Sequence, residues 1–581
     1  MSAIKANQVL NLDGDRIGSV VVDSIANMKN LNPEIEANAT VELLGYYSKG
    51  DGGGGTFYWD STSTEDDNGG TIIEATGVVD GRYIRNYSGA VNVKWFGAVD
   101  GADSTAAFQA AAATGKNILI PRGYSFYIND TINITSNMTV FAYGASVIWD
   151  GANTLPLFRI NAPAENIFIK GGIYLGESSA WLQSNGVAEN PSSITDYARY
   201  IVEDIRVSGA LIFIDAQKAA RFKVSRVITY TANGINAFGK IVEMKVSDCV
   251  MFGSSGAAGT YGIKAEAYTG ANVTSYPEGF HITNSTIDNF DKTLSIIDCF
   301  VFTVTNCYIG KVLNGTVPIY ISRGNTTHCR EITFNGNTIN GGILFGANAS
   351  GVSYYANIVD NTFTNCDVSS IELQGNTYQV KIDGNRFESP VGAGSTFAVF
   401  VQNNVGNIDV INNTVESSYT RMFTSSGTTG SDINVCNNYG DLIQSTYSSR
   451  PIKVRDTGTD DDTQSVNLTG SPTSGTAFTG TITSNFAKGE KLLLVINLNY
   501  TSTASGILLP SLPTGLDLPR GSGWNSQFIY IDATSNDRRL STTIPLYAST
   551  DIVSGVISLG NYNVASAVTN GTHSSMSLVR I

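Results

Sequence analysis

Four carboxylates lie close together in the sequence, at Glu266, Asp288, Asp291 and Asp298. Two carboxyl groups can hydrolyse a glycosidic bond when one protonates the leaving oxygen and the other activates water or attacks; a separation of about 5 Å gives retention and about 6.5–9.5 Å gives inversion. We expect Glu266 to be the general acid, with Asp291 or Asp298 as the base. Asp288 and Asp291 could instead only bond their own backbone, because they follow a predicted strand into a turn.

Residues near these acids in the predicted structure could bind a sugar polymer. Lys264 and Glu266 should point outward from a strand whose apolar side chains point inward, and neighbouring strands lie only about 4.8 Å apart. The outward positions expected beside Lys264 are Ser295, Tyr320, Leu344, Glu372 and Phe400, and those beside Glu266 are Ile297 or Asp298, then Ser322 and Gln374. The predicted substrate-binding residues are Lys264, Tyr320, Arg323 and Glu372.

A second chemistry is open from the same sequence. β-Elimination needs a base for the proton beside a uronate carboxylate, often Tyr, His, Lys or Arg, and a group that neutralises that carboxylate. Tyr320, Arg323 and His328 form this alternative cluster, although for both His281 and His328 a structural role is the simpler expectation. A Ser-His-Asp esterase is not predicted, because the sequence has no G-x-S-x-G motif.

An asparagine-rich phrase that recurs through the middle of the chain indicates the scaffold for these residues. The clearest copies begin at Asn284, Asn306, Gly336, Asp360, Gly384 and Asn412, and fainter copies lie around Gly171, Asp204, Arg226, Cys249 and Asn438. The second residues of successive copies are 33, 22, 23, 36, 22, 30, 24, 24, 28 and 25 residues apart. Repeats of this length, built from strand and turn formers, predict an all-β chain with stacked coils of a right-handed parallel β-helix.

The longest interval between copies predicts where chemistry is concentrated. The 36 residues between Cys249 and Ser285 exceed the shortest interval, 22, by 14 residues. The additional chain should leave the stack as a loop, and loops on a rigid scaffold commonly carry function. Glu266 lies in this interval and the three aspartates follow it, so we expect the active site here.

The sequence divides into three parts. Residues 1–92 should form a separate head with a glycine-rich hairpin turn at 49–55. Residues 93–450 should form the catalytic β-helix, with a capping helix near 104–114 that hides the first strand edge. Asp103 or Ser104 is the expected N-cap of that helix. Residues 451–581 alternate between strand and turn segments, as is typical of a small antiparallel β-sandwich.

Charge and composition narrow the range of partners. The net charge of −14 argues against nucleic acid, because a phosphate-binding surface needs a basic excess. The sequence contains no run of about 18 apolar residues, so no membrane span is predicted. The first residues do not resemble an export signal. The six cysteines lack zinc-like spacing and are expected to be small buried residues of the stack. The sequence predicts neither a metal site nor a cofactor.

The segment from Val93 to Ile128 resembles the beginning of the pectate-lyase-like β-helices of bacteriophage tailspikes. The matching motifs are Trp95-Phe96-Gly97-Ala98, the helix Thr105-Ala106-Ala107-Phe108-Gln109-Ala110 and the strand end Ile120-Pro121-Arg122-Gly123. The resemblance extends over about residues 40–440, and its motifs are specific for the fold rather than for the chemistry. The acidic turn is shorter here, with Asp100 and Asp103 in place of a longer Asp-rich phrase.

This resemblance implies a homotrimeric tailspike that is made in the host cytoplasm and docks on the phage tail, or on another tailspike, through its head. It would bind and depolymerise a bacterial capsular or surface polysaccharide, most simply by hydrolysis with paired carboxylates. In tailspikes a terminal β-domain often holds the trimer together or contacts sugar. A polysaccharide lyase, a non-catalytic receptor-binding adhesin and a non-phage pectin-type enzyme are the alternatives.

Overall fold

The structure is a computed structural model of the chain. It describes residues 9–436 with short gaps, and after them Asn438 and the strands of the C-terminal part; the gaps are 11–15, 34–38, 162–164, 185–198, 270–273, 313–316, 323–328, 347–351, 376, 393–395, 403–405, 417 and 426–430. The chain divides into two compact units, Met1–Ile332 and Thr333–Ile581, and each is described separately.

The first unit begins with a small β-sheet domain. One helix, Ile25–Lys29, accompanies the strands Val9–Leu10, Arg16–Val22, Ala39–Leu43, Gly55–Asp60, Ile72–Ile73 and Arg82–Arg85. The predicted glycine-rich hairpin is confirmed, since Ala39–Leu43 pairs antiparallel with Gly55–Asp60. The carboxylate of Asp51 holds the turn by accepting the backbone N–H groups of Tyr46 at 2.9 Å and Gly53 at 2.8 Å.

A short helix lies at the beginning of the β-helix, as predicted. It follows the strand Val91–Asn92 and the 3₁₀ turn Val93–Phe96, spans Thr105–Ala113 and precedes the strand Ile118–Leu119. Ser104 occupies the N-cap position, and the carboxylate of Asp103 before it satisfies the first backbone N–H of the helix, that of Thr105, at 3.0 Å. Phe108 is buried with its ring edge against Phe126, at 5.6 Å between centroids. No helix of the described residues is long and apolar enough to span a membrane.

Coils of three strands follow, and like strands of successive coils pair in parallel to form three faces. Face 1 consists of Ile132–Ile134, Phe158–Ile160, Leu182–Ser184, Tyr261–Glu266, Lys292–Ile297 and Ile319–Ser322. Face 2 consists of Met138–Phe141, Asn166–Lys170, Arg199–Glu203, Glu278–Thr283, Phe300–Thr305 and the strand Arg330–Asn335, which crosses the unit boundary. Two long strands, Ile212–Ser225 and Asn233–Ser247, contribute to both faces. Face 3 consists of Ser125–Ile128, Ser146–Trp149, Ile173–Leu175, Arg206–Ser208, Ile228–Thr231, Val250–Gly253, Thr286–Asp288 and Tyr308–Ile309.

The second unit contains further parallel coils and then antiparallel sheets. The coil strands are Thr338–Asn340, Ile343–Phe345, Val352–Val359, Thr362–Thr364, Ser369–Leu373, Thr377–Asp383, Arg386–Glu388, Phe397–Val401, Gly406–Ile411, Thr414–Val415, Arg421–Ser425, Ser431–Cys436 and Lys453–Arg455. One antiparallel sheet contains Thr463–Val466, Lys491–Ser502, Leu516–Asp517, Thr534–Ala548, Val568–Asn570 and Ser575–Arg580. The other contains Ala477–Ile482, Gly506–Ser511, Ile529–Ile531 and Gly555–Tyr562. The predicted parallel β-helix and the predicted antiparallel C-terminal strands are both confirmed.

The asparagine-rich repeat has a physical cause in each unit. In the first unit the residue before the marker adopts a left-handed backbone conformation, with φ of 56° at Asp248, 49° at Asn284 and 54° at Asn306, which Asn and Asp tolerate better than most residues. In the second unit the marker side chains form a buried ladder of amides. Asn361 donates to the side-chain oxygen of Asn385 at 3.0 Å, and the series continues in the same way from Asn337 to Asn438.

The cysteines lie within the stack, as expected for small buried residues. The free and buried thiols are Cys249, Cys299, Cys307, Cys329 and Cys366. Burial raises the pKa of the Cys249 thiol to about 11. The side chain of Cys436 lies outside the described residues. Five of the six cysteines therefore have the structural placement that the sequence predicted.

Candidate active site

Glu266 lies at the end of the face 1 strand Tyr261–Glu266. Ile263 and Ala265 are fully buried in the core, while Lys264 and Glu266 are half-buried on the outer side. The predicted register is confirmed within this unit. Lys264 pairs with Ser295 and then Tyr320, while Glu266 pairs with Ile297 and then Ser322.

Four side chains form an acidic cluster on this face: Asp215, Tyr261, Lys264 and Glu266. Lys264 and Glu266 form an ion pair. Burial raises the pKa of the Tyr261 phenol well above its usual range, and the negative charges of Asp215 and Glu266 raise it further. The ammonium of Lys264 is 6.0 Å from the centroid of the Tyr261 ring, so the tyrosine lies beside the ion pair. This phenol stays protonated at neutral pH and can donate a hydrogen bond to a ligand.

Asp215 is held firmly in the acidic cluster. Asn236 donates an amide N–H to one carboxylate oxygen at 2.8 Å, and Gln183 donates to the other at 3.2 Å. Asp215 pairs with Asn236, which pairs with Lys264, so Asp215 and Lys264 are two coils apart. At about 4.8 Å per strand, their backbones are about 9.6 Å apart along the stack. Glu266 lies two residues beyond Lys264, about 6.6 Å further along the strand, so the backbones of Asp215 and Glu266 are about 12 Å apart. Their carboxyl groups reach the separation of about 6.5–9.5 Å that inverting hydrolases use when the two side chains lean toward each other.

A second lysine and a second tyrosine lie beside the acidic cluster. The ammonium of Lys292 is 4.6 Å from the ring centroid of Tyr320. Lys292 is the strand partner of Tyr261 on the next coil. The face thus presents aromatic rings, ammonium groups and carboxylates together, which is a suitable surface for a sugar with both apolar and hydroxyl-bearing sides.

The long interval that the sequence singled out contains a small hairpin. Tyr268–Thr269 pairs antiparallel with Thr274–Ser275 immediately after the strand that ends at Glu266. Residues 270–273, between its two strands, lie outside the described residues. The additional residues therefore begin at the corner between face 1 and face 2, next to the acidic cluster.

Asp288 is on another face of the coil. It ends the face 3 strand Thr286–Asp288, where its carboxylate accepts the backbone N–H of Asn289 at 2.7 Å. Burial raises the pKa of the Asp288 carboxyl. A Cβ atom at Gly310 would lie 1.9 Å from a carboxylate oxygen of Asp288, so the acid packs directly over that glycine.

Asp291 and Asp298 lie at the two ends of the strand Lys292–Ile297. Asp291 precedes the strand Lys292–Ile297, and its carboxylate accepts the backbone N–H of Gly259 at 2.8 Å. Since Lys292 pairs with Tyr261, five residues before Glu266, and Asp291 is one residue earlier still, Asp291 is about 20 Å from Glu266 along the strand direction. Asp298 follows Ile297, the strand partner of Glu266, but it is 2% exposed. Of the three aspartates, Asp298 is therefore nearest to Glu266 by register.

The remaining predicted residues are distributed differently. Glu372 lies in the second unit, where the predicted register Leu344, Glu372 and Phe400 is confirmed. Its carboxylate accepts side-chain hydrogen bonds from Gln402 at 2.7 Å and Gln374 at 3.1 Å. Arg323 and His328, of the alternative lyase cluster, lie outside the described residues.

Sequence reasoning missed Asp215. Its signal was present, because the outward register that runs from Lys264 to Ser295 and Tyr320 also runs backwards to Asn236 and Asp215. The weak repeat around Asp204 and Arg226 made the backward alignment harder to infer from the sequence.

Comparisons with protein families and with solved structures show what the chain is similar to. Residues 21–88 match the family model of the phage tail protein small four-stranded β-sheet domain. Tailspike protein 2 of Escherichia coli O157:H7 bacteriophage CAB120 is 13% identical, with a TM-score of 0.41 over 96% of this chain and 79% of that one. A tailspike of Acinetobacter phage vb_AbaP_AS12 is 12% identical, with a TM-score of 0.45 over 90% of this chain and 94% of that one.

A third solved structure is a tailspike of Acinetobacter baumannii bacteriophage Fri1, described as a capsular polysaccharide depolymerase. It is 13% identical, with a TM-score of 0.35 over 96% of this chain and all of that one. The family match covers the N-terminal β-sheet domain. The parallel β-helix is established by the pairing of its own strands. A phage-tail β-sheet domain and a parallel β-helix thus occur in one chain, as the sequence predicted for a tailspike.

Proposed function

We propose that this protein is a phage tail enzyme that binds and depolymerises a bacterial capsular or surface polysaccharide by glycosidic hydrolysis. The observation that carries the proposal is the acidic cluster of face 1, where Glu266 forms an ion pair with Lys264, Lys264 lies over the half-buried ring of Tyr261, and Asp215 stands in the same outward column as Lys264. The match of residues 21–88 to a phage tail domain supports attachment to the virion through the head.

In the proposed reaction, Glu266 protonates the leaving glycosidic oxygen and Asp215 activates the attacking water. The two amides on Asp215 orient its carboxylate. Glu266 is ion-paired with Lys264 in the free protein, so in the proposed reaction it leaves Lys264 and takes up a proton from solvent before it donates that proton to the leaving oxygen. The Tyr261 hydroxyl donates to the substrate between them. Asp298, the nearest aspartate to Glu266 by register, is the alternative base, and Asp288 and Asp291 complete the set of acids to be tested.

Analysis of the products tests the proposed chemistry directly. We expect digestion of the receptor polysaccharide to release new reducing ends without an unsaturated uronate. Proton NMR identifies the anomer that is released first. We expect its anomeric configuration to be inverted relative to the substrate, because the two carboxylates lie on strands two coils apart. Retention would contradict the pairing of Asp215 with Glu266, and tight binding without any product would identify an adhesin.

β-Elimination is the second candidate, and one observation favours it. Lys292 lies over the ring of Tyr320, so a cation that could neutralise a uronate carboxylate stands beside a tyrosine. Tyr261 is a poor base for this purpose, since its pKa is raised well above the usual range. An unsaturated uronate among the products would favour this candidate over hydrolysis.

A homotrimer is part of the proposal, and face 3 supports it. Five large apolar side chains of this face are exposed by 37–52%: Ile173, Leu175, Ile228, Tyr230 and Phe252. Leu175, Tyr230 and Phe252 belong to one outward column. Exposed apolar patches of this kind commonly mark interfaces, and closed threefold symmetry would cover one such face on every copy.

We expect the protein to have the mass of three chains in solution. The double substitution Ile228→Glu and Tyr230→Glu should produce monomers, because it places two charges among the exposed apolar side chains of face 3. Light scattering coupled to size-exclusion chromatography measures both masses. Val79→Glu, at a head residue that is 82% exposed, is the control and should remain trimeric. A stable wild-type monomer at low concentration would contradict the assignment.

A further inference from the structure

A basic groove crosses face 2. It lies on the strand Arg199–Glu203 and on the face 2 parts of the long strands Ile212–Ser225 and Asn233–Ser247. Its volume is about 350 Å³, and the charged side chains that line it are Arg199, Arg221, Lys223, Glu243 and Lys245. The strand Asn233–Ser247 joins the two sites, since it provides Asn236 to the acidic cluster and Glu243 and Lys245 to the groove. None of these five residues takes part in the proposed reaction.

The charge of the groove is opposite to that of the protein. Four cations and one carboxylate give the lining a net charge of +3, whereas 36 basic and 50 acidic residues give the chain −14. Glu243 is the one carboxylate in the lining as described, and it already contacts Lys245 at 2.5 Å and Arg221 at 3.6 Å. Its charge is thus shared between two cations of the groove.

The register of the strands places like charges directly opposite each other. Arg199 pairs with Arg221, and Lys223 pairs with Lys245, which in turn pairs with His281. Like charges at opposed positions of neighbouring strands are destabilising. Two such pairs side by side are therefore a local cost to folding, and sites that break a local rule in this way are commonly functional.

The groove also has the shape and the partial rigidity of a binding surface. Arg199 stacks over Phe168, at 5.5 Å from the ring centroid, which limits the movement of its guanidinium. Tyr200 and Phe222 point into the core beneath the groove, with their rings in edge contact at 5.6 Å, which holds the strands under the groove in place. Arg221 and Lys245 have 71% and 55% of their side chains exposed, so their charged ends are accessible to a ligand.

We propose that this groove binds the acidic groups of an anionic polysaccharide, so that the substrate of the enzyme is a carboxylate-bearing glycan rather than a neutral one. The inference rests on the proposed polysaccharide-cleaving function for its biological meaning, but the groove's preference for anions stands on its own charges. Cations about 4.8 Å apart on successive coils match acidic groups that recur along a polymer. Nucleic acid is the competing polyanion, because its phosphates would meet the same cations, and the experiment below includes it as an outcome.

Carboxymethyl-dextran and unmodified dextran are matched probes for this groove, because they differ only in their acidic groups. We expect the intact protein to bind carboxymethyl-dextran in affinity electrophoresis, to bind dextran far more weakly, and to lose the difference at high salt. The double variant Lys223→Gln and Lys245→Gln should bind carboxymethyl-dextran about tenfold more weakly, as expected for two lost charge contacts. The exposed Lys116, outside the groove, provides the control Lys116→Gln, with binding unchanged.

The outcomes separate this inference from the proposed function. Unchanged binding of carboxymethyl-dextran by the double variant, or equal binding of dextran, would overturn the groove assignment whatever the enzyme cleaves. Stronger binding of a DNA oligonucleotide through the same two lysines would overturn it in favour of nucleic acid. The unfolding temperature of the variant should be nearly unchanged, because removal of the opposed pair of like charges offsets loss of the contact between Lys245 and Glu243. Loss of cleavage in Glu266→Gln with normal binding to carboxymethyl-dextran would support both assignments.

Discussion

Glu266→Gln and Asp215→Asn are each expected to lower the rate of polysaccharide cleavage by at least about 100-fold. Both substitutions keep the shape of the side chain and remove a proton-transfer group. The amides of Gln183 and Asn236 and the ion pair of Lys264 hold the two acids in place in the acidic cluster. Initial rates of reducing-end release measure the loss, and binding of the polymer should remain within a few-fold of the wild type.

Glu278→Gln is a matched control for this prediction. Glu278 is similar to Glu266 in exposure, with 28% against 32% of the side chain accessible, and it also has a lysine partner, Lys240, at 3.6 Å. It lies on face 2, outside the acidic cluster. We expect its variant to cleave at the wild-type rate, which would show that loss of an ion-paired glutamate is not by itself inactivating.

The other predicted acids extend the series. Asp298→Asn, Asp291→Asn and Asp288→Asn test whether the base is an aspartate that follows Glu266 in the chain rather than Asp215. If one of them is inactive while Asp215→Asn is active, the pair is Glu266 with that residue. If every acid variant is fully active while Tyr320→Phe or His328→Ala is inactive, the hydrolase assignment is wrong and elimination is the better account.

Asn385→Ala is expected to lower the free energy of unfolding by at least about 3 kcal/mol, because it leaves several buried polar groups without partners. The Asn385 side-chain oxygen accepts the backbone N–H of Asn361 at 3.0 Å, and its amide donates to the Ile358 carbonyl at 2.7 Å and to Asn413 at 3.0 Å. The residue is 1% exposed, so water cannot replace these bonds. Since large proteins often unfold irreversibly, the measurement is the rate of unfolding at a fixed temperature, which should be higher for the variant than for the wild type.

Two variants give this stability prediction its controls. Asn357→Ala changes an exposed asparagine of a neighbouring strand, and the expected change lies within about 0.5 kcal/mol. Asn385→Ser should recover part of the loss, because Ser285 occupies the equivalent position in the repeat and accepts the Cys249 backbone N–H at 3.1 Å. Equal unfolding rates for Asn385→Ala and the wild type would mean that the amide ladder adds nothing to stability.

The repeat made the scaffold predictable from the sequence. Each coil needs a small or amide-bearing residue (Asn, Ser or Cys) at the same inner corner, and a residue that tolerates a positive φ just before it. The phrase therefore recurs in the sequence itself. The outward register of Lys264, Ser295 and Tyr320 followed from the alternation of strand residues and is confirmed. The capping helix was equally predictable, because its alanine run follows Asp103 and the N-cap Ser104.

Tertiary structure decided which acids lie together. Asp291 and Glu266 are close in sequence, but the strand Lys292–Ile297 runs parallel to Tyr261–Glu266 and places them at opposite ends. Asp215, 51 residues before Glu266 in the chain, joins the acidic cluster because each coil returns the chain to the same face. The like-charge pairs of the basic groove were likewise invisible in the sequence, since Arg199 and Arg221 become neighbours only through the strand register. Stacking converts a distance along the chain into a spacing between strands, so local spacing in the sequence predicts the coil but not which side chains meet across coils.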